Sequence, residues 1–220
     1  MKRTQTKYPK SVRRASEASN LVFKEGKGNS KLGDIISRGH WKGLKIYALT
    51  LSERSTCPPS CHHWDDCFGN NMPFAHRHQI KNQADYNRLS SDLATLNKKH
   101  PIGFAIRLHV LGDFQSLPYV AFWANALKTY PKLRAFGFTA HKPQTKIGQA
   151  IQKLNLAYPD RFYIRFSRSQ ESVTDGISYA AEESFDGPAF DCPEQTGKVK
   201  SCADCGLCWT AKKTVRFFSH

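Results

Sequence analysis

A chain of 220 residues with 40% hydrophobic content is long enough to build one sizeable core. No run approaches the roughly 18 apolar residues of a membrane span. Residues 1–31 are polar and basic with no apolar centre of an export signal, so a cytoplasmic protein without membrane contact is expected. The net charge of +15 suits a polyanionic partner, nucleic acid first, with a merely solvated basic surface as the bland alternative.

Residues 1–31 read as a basic, flexible arm that orders on phosphates: Lys2, Arg3, Lys7, Lys10, Arg13, Arg14, Lys24, Lys27 and Lys31 face only Glu17 and Glu25. Gly26 to Gly33 is turn-rich. The apolar run Lys45 to Leu51 predicts a buried strand that ends where Pro58 and Pro59 forbid regular structure. Ile80, Tyr86, Leu89, Leu93 and Leu96 recur at helical spacing within residues 74–99. A second strand, Gly103 to Leu111, closes on Gly112-Asp113-Phe114. A helix over 118–130, a strand over 133–140, a helix over 144–157 and a strand over 161–167 follow. Strands alternating with helices argue for parallel βαβ units, and the expected fold is α/β: a partial (β/α) barrel over 32–170 with a cysteine-rich, metal-binding extension over 171–220.

Two strands depart from the all-apolar pattern of a doubly covered parallel sheet. Arg107 and His109 alternate with Ile106, Leu108 and Val110, and Tyr163, Arg165 and Ser167 alternate with Phe162, Ile164 and Phe166. With a period of two, each strand gains a polar face that must line something wet or ligand-filled. An antiparallel sheet with a solvent face is the competing reading.

Seven cysteines fall in two groups, with none between them. Cys57, Cys61 and Cys67 follow the first strand. Three thiols are one short of a closed tetrahedral shell, as an open, reactive centre requires; His62 and His63 offer a Cys/His zinc site instead. Cys192, Cys202, Cys205 and Cys208 make a closed set of four. The Cys-x2-Cys-x2-Cys run with a remote Cys-Pro uses the elements of a [4Fe–4S] cradle, with an all-cysteine zinc site as rival. Beyond Asp191 the large apolar residues are few, so ligation is expected to supply much of the folding free energy there.

The three-cysteine loop after strand one, with Gly112-Asp113 ending strand two, resembles the radical S-adenosylmethionine family. That resemblance implies one or two [4Fe–4S] clusters, the first on Cys57, Cys61 and Cys67 with S-adenosylmethionine on its fourth iron. It further implies a reductant protein as partner and a 5′-deoxyadenosyl radical that takes hydrogen from a substrate in the lumen. Gly112 and Asp113 would bind the cofactor's amino group. Arg107, His109, Arg165 and Ser167 would position its carboxylate or the substrate, so Asp113, His109 and Arg165 stand as the catalytic candidates. The cysteine spacing here is x3 then x5 where that family has x3 then x2. Trp64, inside the gap, and Phe68, just after it, are both candidates to stack on adenine.

A longer resemblance runs through Gly28-Asn29-Ser30-Lys31-Leu32-Gly33, His109 to Phe114 and Cys205-Gly206-Leu207-Cys208-Trp209. These segments are similar to the phage and plasmid gene product 88 domain family, which implies a mobile-element origin and a host cytoplasm. The expectation is therefore an iron–sulfur enzyme acting on nucleic acid or a nucleotide-derived substrate. A basic, zinc-stapled nucleic-acid-binding protein is the alternative, and a metal-dependent nuclease built on Asp65 and Asp66 ranks below both.

Overall fold

A computed structural model of the chain describes residues 4–168, 178–182 and 184–218. Its centre is a mixed but mostly parallel sheet. β1 (Val12–Arg14) pairs with β4 (Arg77–Gln79) in a small parallel ribbon. The main sheet contains β2 (Lys24–Glu25), β3 (Lys45–Leu49), β5 (Phe104–Leu108), β6 (Leu133–Thr139), β7 (Phe162–Arg168), β8 (Tyr179–Glu182), β9 (Ala189–Asp191) and β10 (Thr214–Phe217). Their order is β2-β3-β5-β6-β7-β8-β10-β9, so the sheet keeps two edges and does not close. Among the described strands of this sheet, only the short β2 runs antiparallel to its neighbour.

From β3 through β10 the order follows the sequence, except that β9 lies outside β10. Strands added always on the same side, with crossovers of one hand, place every crossover on one face. α1 (Gln83–Lys99), α2 (Leu117–Thr129) and α3 (Lys146–Ala157) do share one cluster. Leu89, Leu93 and Leu96 of α1 and Trp123 and Leu127 of α2 meet Tyr47, Leu49, Ile106, Leu108, Ile164 and Phe166 there. Each helix begins on a residue suited to it: Asn82, Ser116 and Thr145 accept from the backbone N–H three residues on.

The alternate residues of the same strands point to the helix-free face. Ile46, Ala48, Ala105 and Phe136 form a second cluster with Leu32, Ile36, Trp41, Ala203 and Trp209. Trp209 stacks on Trp41 at 5.3 Å and 7° and packs on Phe136 at 4.5 Å. The N- and C-terminal segments, the latter through two four-residue helices, thus cover the face that α1, α2 and α3 do not reach.

Two expectations change. Residues 4–31 are no loose arm: Ala15, Val22 and Phe23 are buried, and the segment is tied down by charged side chains of α1. Asp85 accepts from the Ser16 N–H and hydroxyl and from Arg14, while Asp92 accepts from the Val22 N–H. The C-terminal part is also no appended module. β8, β9 and β10 extend the main sheet, and only α4 (Cys202–Cys205) and α5 (Leu207–Thr210) carry the clustered cysteines. The expected boundary at 170/171 lies outside the described residues. Among the described residues no helix is long and apolar enough to cross a membrane.

Candidate metal centres and ligand cavity

The C-terminal ends of β3, β5 and β6 converge, which is where an open parallel sheet places its ligands. Beyond β3, Ser52 to Thr56 lead into the loop that carries Cys57, Cys61 and Cys67. Beyond β5 comes Gly112, at φ +81, where a Cβ would stand 2.5 Å from Thr56 Oγ1 and 2.7 Å from Leu51 Cβ. Only glycine fits both the conformation and the space. Asp113 follows, fully buried. Its Oδ1 accepts from the Phe114 N–H (2.7 Å) and the Thr139 hydroxyl (2.8 Å), and its Oδ2 from the Ala140 N–H (2.7 Å). The Asp113 N–H donates to Thr56 Oγ1 and the Ser60 hydroxyl to the Ala140 carbonyl, so the three strand ends and the cysteine loop are laced together. Burial pushes the Asp113 pKa up, against the pull of His141 and of these donors. The carboxylate is thus committed to the protein's own backbone, not presented to a ligand.

Charged residues that the sequence reading passed over hold the cysteine loop. Arg77 is wholly buried; it donates to Glu53 Oε2 at 2.7 Å and to the carbonyls of Gly69, Met72 and Ala75. Glu53 also accepts from the Thr6 hydroxyl at 2.6 Å. Arg54 donates to the Trp64 carbonyl and to Asn70 Oδ1, which braces both sides of Cys67. Their one sequence signal was an unusual run of polar and charged residues, Ser52-Glu53-Arg54-Ser55, straight after a buried strand.

The cysteines stand as two groups of free thiols. Burial raises the pKa of all three loop thiols and lifts Cys61 to about 11; Cys61 and Cys67 lie near enough to Cys57, and Cys67 to Cys61, to add to the rise. Cys192, Cys202, Cys205 and Cys208 line one small cavity with Pro193, Leu207 and Trp209. Burial lifts Cys208 to about 11. Among the described residues no group of three or more Cys, His, Asp or Glu side chains converges closely enough to hold a metal ion.

The chemistry of the tail donors nevertheless fits a soft metal. The thiols of Cys202 and Cys208 are neighbours of the Arg107 guanidinium, and Cys208 is a neighbour of Arg165. No described carboxylate forms a salt bridge with either arginine. Burying two cations beside neutral thiols is expensive, whereas four metal-bound thiolates supply the compensating negative charge.

The polar-face residues separate into different roles. Arg165 is a clamp: it donates to the carbonyls of Tyr179, Leu207, Cys208, Ala211 and Lys213, so its assignment to catalysis gives way to holding the tail on the sheet. β5 ends at Leu108, so His109 leaves the alternation and turns to the helix face. There its Nε2 pairs with the Tyr119 hydroxyl at 2.9 Å and its ring packs edge-on to Phe114. Burial pushes its pKa down to about 3. Ser167 sits beside Ala180 of β8 and does not line the cavity described next. Trp64 does not line it either.

Arg107 does. Its guanidinium lies 4.3 Å from the Phe138 ring centroid, in a cavity of about 470 Å³ on the helix-free face. Val110, Phe136, Phe138 and Phe217 line it from the sheet, Cys202 and Cys208 from the tail, and Phe68 and Met72 from the cysteine loop. Cys57 instead faces a second cavity of about 580 Å³, with Pro58, Pro59, Gln115, His141 and Lys146.

No family model matches the chain, and no solved structure matches it. It is similar to the Gene 88 protein of Mycobacterium phage D29, 30% identical over 140 residues that cover 54% of this chain and 56% of the relative. The chain therefore spans about half the length of that curated relative.

Proposed function

We propose that the chain is an iron–sulfur enzyme of the radical S-adenosylmethionine type on a partial (β/α) barrel. Its reactive centre would be at Cys57, Cys61 and Cys67, and its supporting centre at Cys192, Cys202, Cys205 and Cys208. One observation carries this reading. The three-cysteine loop and the Gly112-Asp113 turn are hydrogen-bonded to each other at the C-terminal ends of adjacent parallel strands whose order follows the sequence. When bound, the loop cluster would supply the electron that cleaves S-adenosylmethionine.

The chain's own residues set up that chemistry. Arg77 and Arg54 fix the loop from behind. Gly112 lets the second turn approach it, and Asp113 locks that turn to the end of β6. The cofactor's amino group then has backbone and loop groups to meet, and the Asp113 carboxylate acts by positioning them. Phe68, exposed and directly after Cys67, is the better placed of the two aromatics to stack on adenine at the loop. Substrates are expected among nucleic acids or nucleotide-derived molecules, given the +15 charge and the similarity to a phage protein.

The same charge favours a second reading, a zinc-stapled nucleic-acid-binding protein without catalysis. Anaerobic purification with iron, sulfide and zinc counting separates the two. Iron and sulfide in near-equal amounts, with 5′-deoxyadenosine released on reduction, support the enzyme. Colourless protein with zinc at both groups overturns it.

A further inference from the structure

We infer that the 470 Å³ cavity on the helix-free face binds a small organic carboxylate with a flat apolar body, and that Arg107 is its receptor. This goes beyond the proposed activity and rests on no metal assignment. The volume falls within the range of small-molecule sites. The wall is largely apolar, from Val110, Phe136, Phe138 and Phe217, with Asn29, Ser30 and Gln195 as neutral polar side chains and Lys31 and Glu194 as charged ones beside Arg107.

Arg107 is what makes this cavity a site. One face of its guanidinium is occupied by the Phe138 ring. Its Nη1 is sealed from water with no partner, and among the described residues neither Nε nor Nη2, the donors left to face the cavity, has a hydrogen-bond partner or a carboxylate within salt-bridge distance. Arg165, the fully buried cation on β7, spends its donors on five carbonyls of the chain, whereas Arg107 is only partly buried. An idle buried donor on a cation costs free energy that a well-packed fold avoids. The neighbouring Cys202 and Cys208, as neutral thiols, neither balance the charge of Arg107 nor accept its N–H groups well. A carboxylate accepts N–H donors in the plane of the guanidinium, the direction that stacking on Phe138 leaves open. Arg107 and Lys31 against Glu194 leave the wall with one net positive charge, which a singly charged acid matches better than a phosphate dianion does. None of Cys57, Cys61 and Cys67 lines this cavity, which separates its ligand from a cofactor held at that loop.

Calorimetric titration of the full chain, as purified, with 3-phenylpropanoate, 3-phenylpropanamide and S-adenosylmethionine tests the inference. The acid should bind about tenfold or more tighter than its neutral amide, the difference expected for a charge-assisted hydrogen bond. Arg107→Gln should reduce the acid to the level of the amide, and Arg107→Lys should keep only part of the preference. The comparison of acid and amide on the wild-type chain needs no variant to fold. Equal binding of the two, no binding of the acid at millimolar concentration, or an unchanged preference in Arg107→Gln overturns the proposal. Displacement of the acid by S-adenosylmethionine also overturns it, since the site would then be the cofactor's. Metal counts on the same sample judge the proposed activity separately: zinc in place of iron would sink that reading and leave this one standing.

Discussion

Asp113 shows how a residue can sit in the expected place and do a different job. Both of its oxygens accept hydrogen bonds from the protein, two of them from backbone N–H groups of neighbouring turns. Asp113→Asn puts an NH2 group where one of these donors points, leaving a buried donor unpaired. The expected loss is about 1–3 kcal/mol in urea unfolding. A residue that only touched a cofactor would leave the apo-protein's stability unchanged. His78 provides a second test at this scale. Both ring nitrogens are buried without partners, and burial, with Lys24 as the next cause, lowers its pKa to about 4. The unfolded chain therefore takes up the proton first, and the stability carried by the neutral ring is lost as pH falls from about 6.5 towards 4. His78→Leu should flatten the stability curve across that window; an unchanged slope would assign the acid sensitivity to other groups.

At the scale of elements, Asp85 caps α1 and fastens the N-terminal segment in one stroke. Burial alone would raise its pKa, but the Lys81 and Ser16 N–H groups, the Ser16 hydroxyl and the Arg14 guanidinium hold it well below the carboxylate range. Its contribution is present above the unfolded carboxylate pKa of roughly 4 and is lost below it. Asp85→Ala should cost about 2 kcal/mol or more, because it removes the Asp85 half of the capping box with Asn82 and the anchor of Ser16 together. It should also expose Arg13 and Arg14 to trypsin at neutral pH. The tail rests on Trp209 as well as on its cysteines. Trp209→Ala empties a site shared with Trp41 and Phe136 and should cost about 3–5 kcal/mol. Cys205→Ser should loosen the same segment only if a metal is bound there. Limited proteolysis of the two variants, with and without chelator, tells apolar anchoring from ligation. A Cys205→Ser tail as resistant as wild type would mean that packing alone holds it.

Across the whole molecule, the two cysteine groups occupy different structural positions, and their loss should differ accordingly. The loop group hangs from the strand ends, outside both hydrophobic clusters. Changing Cys57, Cys61 and Cys67 together to Ala should leave a cooperatively folding chain with one metal centre fewer and no turnover. The tail group lies against the helix-free face, and Cys202 and Cys208 pack on the cluster around Trp41 and Trp209. Changing the four tail cysteines to Ser should weaken that whole face, visible as a lower Tm and broadened transition. If the loop variant unfolds and the tail variant does not, the division of labour between the groups is reversed.

Strands β3, β5, β6 and β7 and helices α1, α2 and α3 were legible because each carries its own periodicity, and each is bounded by glycine, proline or a capping residue. The grouping of the cysteines was legible for the same local reason. Strands β8, β9 and β10 were not, because Tyr179-Ala180-Ala181, Ala189-Phe190-Asp191 and Thr214-Val215-Arg216 are too short to show a period and gain their stability from neighbours far away in the chain. The polar face of the strands was expected to line something wet or ligand-filled, whereas much of it meets protein. Arg165 meets five carbonyls of the tail, and His109 turns away where β5 stops. Sequence by itself determined the alternating elements, the basic charge and the two sets of thiols, since these depend on residues near one another along the chain. Only the tertiary structure decided that the N-terminal segment is packed, that the Asp113 carboxylate is consumed by three donors from two turns, and that Arg107 is left with an idle donor beside a cavity. Hydrogen-bond satisfaction is a property of what surrounds a side chain in space, and its neighbours along the chain do not reveal it.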